Sequence, residues 1–95
     1  MEFSGFDWDA GNRSKCRKHG VTTEDIESLF TKPVLIIDDP FDSTIEKRFR
    51  AIGRSSSNRL IFVVFTLRGE RIRPISARFM HAKEIERYET DNPEL

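Results

Sequence analysis

Hydrophobic positions change period several times along this chain, and each change predicts an element. Phe3, Phe6 and Trp8 open it, and residues 2–7 read as a short strand or extended arm packed on a core. Asp9 stands where an N-cap carboxylate accepts from helix amides, and Ala10 to Lys18 reads as a short polar and basic helix. Gly20 is placed to end that helix in a left-handed turn, with Lys18 and His19 complementing the negative end of its dipole. Thr22 and Asp25 have the spacing of a capping box, and Val21 with Ile26 can form the hydrophobic staple beside it. Ile26, Leu29 and Phe30 fall at i, i+3, i+4, which predicts a second helix with one apolar stripe, stopped by Pro33.

The period then shortens to two. Val34 to Ile37 is apolar but short, a strand or a packed loop, and Asp38-Asp39-Pro40 signals a turn. From Thr44 to Ile52 the residues alternate: Ile45, Lys47, Phe49 and Ala51 on one face, Glu46, Arg48, Arg50 and Ile52 on the other. Residues 53–58 form a loop, and Leu60 to Leu67 reads as a central strand, apolar on both faces. Arg68-Gly69 is a hairpin turn and Glu70 to Ala77 the return strand, in which Arg71 and Arg73 share a face with Ile75 and Ala77. Pro74 gives no ladder amide, so this strand must be an edge or carry a bulge. Met80 to Glu89 reads as a closing helix and 91–95 as a frayed tail. The predicted order is β-α-α-β-β-β-α: an α+β fold, with a small antiparallel sheet packed against helices in one domain over residues 1–95.

Charge changes the picture more than composition does. With 37% hydrophobic residues in 95, the chain supports one small core. No apolar run approaches the ~18 residues of a membrane helix, and the acidic, aromatic start is unlike a secretory signal. Cys16 is the one cysteine, which excludes an internal disulfide and suits a reducing cytoplasm. Net charge is zero, yet Lys47 to Arg78 holds nine Lys/Arg against one Glu, and eight of the nine are arginine. Guanidinium forks suit bidentate phosphate contact, so this basic stretch predicts a nucleic-acid or acidic-protein partner, and RNA is the reading preferred here.

RNA carries its own nucleophile, the 2′-hydroxyl, so a ribonuclease needs only cations for the phosphorane and groups that move protons. Candidate cations are Arg48, Arg54, Arg73 and Arg78, with Lys18, Arg50 and Arg71 as further RNA contacts. Candidates for proton transfer are His19, His81, Glu84 and Tyr88. Each has a plainer alternative. The arginines can be solvated strand-face residues or partners of the acidic second helix. The histidines can be ordinary helix-end residues, Glu84 an arginine's partner, and Tyr88 and Trp8 core. Two histidines and one cysteine without paired ligand spacing make no convincing metal site, so no metal or cofactor is expected.

Trp8-Asp9, then Lys18-His19-Gly20-Val21, then Phe30, resemble the opening signature of the BrnT toxin family. Arg48, Gly53-Arg54, the run Ile72 to Arg78, and Glu84 with Tyr88 resemble its closing signature, so the likeness spans about Phe6 to Glu89. The resemblance implies a RelE-like ribonuclease toxin of a type II toxin–antitoxin pair. It also implies a BrnA-like ribbon-helix-helix antitoxin as partner, contact with operator DNA only through that antitoxin, and no membrane. Pro74 replaces an aliphatic strand residue common in the family, and Lys15 stands where many relatives have Asn. The reading from another class is a non-catalytic module whose basic face docks an acidic protein or nucleic acid.

Overall fold

The apolar run at the chain's centre becomes the middle of a sheet. In the computed structural model, which describes residues 3–40 and 46–93, β3 (Leu60–Arg68) pairs with β2 (Phe49–Arg54) on one side and β4 (Arg71–Phe79) on the other. β1 (Leu35–Asp38) adds to the free edge of β2, giving an all-antiparallel order β1-β2-β3-β4. Helices α1 (Ala10–Arg17) and α2 (Thr23–Leu29) precede the sheet and α3 (Ala82–Asp91) follows it. The architecture is α+β, as expected, and its fourth strand is Leu35–Asp38, a stretch whose sequence alone fits a strand or a packed loop. The N-terminal arm makes one isolated parallel bridge, Phe6 to Ile72, through Ser4 N–H to Glu70 O, Ile72 N–H to Gly5 O and Asp7 N–H to Ile72 O. Asp91 is the last residue of α3 rather than part of a frayed tail. The expectations for Glu2, Thr44, Ile45 and the final two residues lie outside the described ones.

Local signals set the helix ends. Asp9 caps α1 by accepting from the Asn12 amide (3.0 Å) while Asn12 Oδ1 accepts from the Asp9 amide (2.7 Å). Thr22 and Asp25 form the expected reciprocal box at α2. Gly20, at φ +89, supplies the left-handed turn.

One face of the sheet is dry. Ala51, Ile61, Val63, Phe65, Ile72 and Ala77 pack on Cys16, Val21, Ile26 and Leu29 from the first two helices and the turn between them. Phe65 is fully buried, edge-on to Phe30 and stacked with Phe49, each ring centroid 5.4 Å away. A Cβ on Gly53 would meet Leu29 Cδ1 at 2.8 Å, so the Leu29 side chain of α2 rests on β2 where that strand has no side chain.

Pro74 is accommodated by a bulge. Pro74 opposes Phe65 and Ser76 opposes Val64, leaving Ile75 as the extra residue of β4. That residue resets the alternation, which corrects the expectation that Arg73 shares a face with Ala77. Ala77 opposes Val63 on the core side, whereas Arg73 opposes Thr66 and Arg78 opposes Phe62 on the open side. Without the bulge, two residues five apart in a strand would point to opposite faces.

Asn12 ties α1 to this irregular strand. Its buried amide donates to Pro74 O and Asp7 O, both at 2.9 Å. Replacing Asn12 with Leu leaves these two acceptors without that donor. It is expected to cost about 2–3 kcal/mol in urea-unfolding stability, where a neutral surface substitution would cost under about 0.5.

Candidate functional site

The register places Arg50 and Arg54 of β2, Phe62 and Arg68 of β3, and Arg71, Arg73 and Arg78 of β4 on the face opposite the core. α3 lies across one end of that face, its Ile85 near Arg54, Leu60 and Phe79. Five of these guanidiniums hold carboxylates. Arg78 makes a two-pronged contact with Glu84, Nη1 to Oε1 at 2.7 Å and Nη2 to Oε2 at 2.8 Å. Arg54 Nη2 meets Glu89 Oε2 at 2.8 Å. Arg73 bridges Asp9 at 2.8 Å and Asp7 at 3.6 Å. Arg50 contacts the buried carboxylate of Asp39 at 3.1 Å, and Arg68 holds Glu46 at 2.7 Å. None of these acids belongs to α2, which corrects the alternative that the arginines partner the second helix. Of the candidates, Arg48, Arg71 and Lys18 have no ion pair among the described residues.

Phe62 organises the middle of the face. The guanidinium carbons of Arg78 and Arg50 lie 4.8 and 5.2 Å from its ring centroid, within cation–π range. Arg78 is thus fixed from two directions, by a carboxylate fork and by an aromatic ring.

The Arg78 contact and the His81 amide (N–H to Oε1, 2.8 Å) draw the Glu84 carboxyl down to about 2. Such a carboxylate is too weak a base for proton transfer near neutrality, so Glu84 leaves the proton-transfer candidates and becomes the partner that orients Arg78. The sign for stability follows. The lowered group contributes fully above its ordinary value of 4.5, and that contribution is lost as pH falls towards 2. Asp9 is lowered too, first by the Asn12 amide and then by Arg73.

The other candidates separate in space. His81 caps α3 with its ring 78% exposed and Nδ1 3.6 Å from Glu84 Oε1, one carboxylate away from Arg78. His19 is exposed in the turn after α1, and no contact joins it to the Arg78 group among the described residues. Tyr88 is the buried residue of α3, and burial raises its phenol. Lys18 lies with Arg13 and Arg17 on the solvent side of α1, away from the sheet arginines. Burial pushes the Cys16 thiol up to about 11 and makes it unreactive. Trp8 is half-buried against the core, its indole N–H donating to Glu27 at 2.9 Å. Among the described residues no group of three His, Cys, Asp or Glu is placed to hold a metal ion.

Sequence reasoning missed Phe62 and Arg68 at this face. Phe62 was hidden in a run read as apolar on both sides. Its separation of two from Val64, in step with Arg50 across the ladder, was the available signal.

Residues 8–84 match the family described as "Ribonuclease toxin, BrnT, of type II toxin-antitoxin system". A crystal structure of the Brucella abortus ribonuclease toxin BrnT is similar to this fold, with a TM-score of 0.60 and 25% sequence identity, covering 81% of this chain and 96% of that one. A search of curated proteins finds no match. The fold and the matched length place the protein among the ribonuclease toxins of type II toxin–antitoxin systems. The chain belongs to the BrnT family, whose nature implies an RNA target and an antitoxin partner.

Proposed function

We propose that this toxin cleaves RNA without a metal. The 2′-oxygen attacks the adjacent phosphorus, the bond to the 5′-oxygen breaks, and the products are a 2′,3′-cyclic phosphate and a 5′-hydroxyl. The observation that carries this reading is the Arg78 group: a guanidinium held by Glu84, stacked on Phe62, and one residue contact from an exposed imidazole. Glu84 occupies the Nη edge of Arg78, while Nε carries no hydrogen bond among the described residues. A donor fixed before the reaction costs little reorganisation as negative charge builds on the phosphorane. His81 is the group placed to protonate the leaving 5′-oxygen, and the 2′ proton passes to water. Arg54 and Arg73 add charge at either end of the face, with Arg48, Arg50 and Arg71 as phosphate contacts.

The protein acts in the cytoplasm in this reading, restrained by a ribbon-helix-helix antitoxin through which it meets operator DNA. No helix among the described residues is long and apolar enough to cross a membrane. One observation favours the second reading, a non-catalytic binding module: a guanidinium already paired with a carboxylate has less charge to offer a phosphorane. Single-turnover cleavage of single-stranded RNA separates the two. The expected outcome is cleavage by the wild type and a rate roughly 100-fold lower in His81→Gln. RNA binding with no cleavage at any pH would establish the binding module instead.

A further inference from the structure

We propose that the cleft between α1 and the open sheet face is a second phosphodiester-binding subsite, separate from the Arg78 group, that grips the RNA chain away from the scissile bond. It rests on the ribonuclease reading above and extends it.

The cleft encloses about 340 Å³. Lys15 of α1, Arg48 ahead of β2, Arg68 of β3 and Arg73 of β4 converge on it, and Glu46 is the one carboxylate among the described residues of its lining. Arg68 is held by Glu46, and Arg73 by Asp7 and Asp9. Lys15 and Arg48 have no ion-pair partner among the described residues. Two uncompensated cations lining one cleft repel each other, and an anion between them relieves that cost.

The cleft is too far from Arg78 to share its phosphate. Arg78 opposes Phe62 and Arg73 opposes Thr66, four residues along β3. At ~3.3 Å per residue that is roughly 13 Å. Both rows lie on the same open face, so one extended strand of a few nucleotides can follow it from one to the other. The cleft wall also selects the class of partner. Among the described residues its apolar lining is Pro74 and Ile75, with no aromatic side chain. Protein partners draw most of their affinity from aromatic and apolar anchors in pockets, whereas a phosphate chain needs only donors and charge.

The test compares Lys15→Asn, Arg48→Gln and Arg78→Ala with the wild type. One arm measures binding of a non-cleavable 2′-O-methyl RNA of about ten nucleotides, within the usual site sizes for single strands. The other measures steady-state cleavage of the matching RNA and of a dinucleotide. Lys15→Asn and Arg48→Gln are each expected to weaken binding roughly three- to tenfold and to reduce the salt slope by about 0.7. KM should rise by a similar factor while kcat stays within about twofold, the pattern of lost uniform binding. The dinucleotide, too short to reach the cleft, should show no change in Lys15→Asn.

If both variants keep the wild-type salt slope and KM while Arg78→Ala abolishes cleavage, the subsite is wrong and the ribonuclease reading stands. If, in a parallel titration with the antitoxin, they lose affinity and keep their RNA slope, the cleft is a protein contact and the proposal is overturned. If the wild type neither binds nor cleaves RNA, the Arg78 arm is flat as well and both readings fall together.

Discussion

Arg78→Ala is expected to lower the single-turnover RNA cleavage rate roughly 10²–10³-fold, the usual loss when one fixed donor to developing negative charge is removed. The side chain is well placed for such a loss. Glu84 and Phe62 both constrain it, so its orientation does not have to be found during the reaction. The fold has little at stake, because the pair is about one-third exposed at each partner and such pairs contribute about 1 kcal/mol or less. A thermal melt close to wild type, with cleavage nearly gone, is therefore the predicted combination. Glu84→Gln supplies the control. It keeps the shape but loses the charge that orients the guanidinium, and roughly tenfold slower cleavage is expected. If both variants cleave at the wild-type rate, Arg78 is a surface arginine with a carboxylate partner and nothing more.

Phe65→Ala carries the largest expected cost in stability, about 3–5 kcal/mol. Phe65 is fully buried at the centre of β3 and joins the sheet to α2 through Phe30, while stacking on Phe49 of β2. Truncation would remove both ring contacts at once and leave a cavity where three elements meet. For domains of this size total stability is about 5–15 kcal/mol, so the variant is predicted to lose much of it. At about 4 °C per kcal/mol, Tm should fall by roughly 12 °C or more. A shift of only a few degrees would mean that this aromatic cluster is not what holds the helices to the sheet.

Most of the fold was legible because its signals are local. Both N-terminal helix caps depend on residues three apart, and Pro74 announced its own irregularity. β1 stayed ambiguous because four apolar residues do not reveal whether a free strand edge awaits them. The bulge was foreseen but its consequence was not, since one extra residue changes which later side chains face the core. The site was harder to read. Arg73 meets Asp9 across 64 residues and Arg54 meets Glu89 across 35, and no periodicity encodes such pairs. The basic stretch therefore looked like free charge, whereas the folded chain neutralises much of it with its own acids. Among the described residues that leaves Arg48 and Lys15 as the cations of the cleft without an ion pair, while Arg78 is held by both a carboxylate and a ring.

The most direct measurement is to incubate the purified protein with single-stranded RNA in excess EDTA and to identify the new termini. Undiminished cleavage that yields 2′,3′-cyclic phosphate and 5′-hydroxyl ends is the predicted result. RNA left intact, or cut only after magnesium is restored, would contradict metal-free attack by the 2′-oxygen at this face.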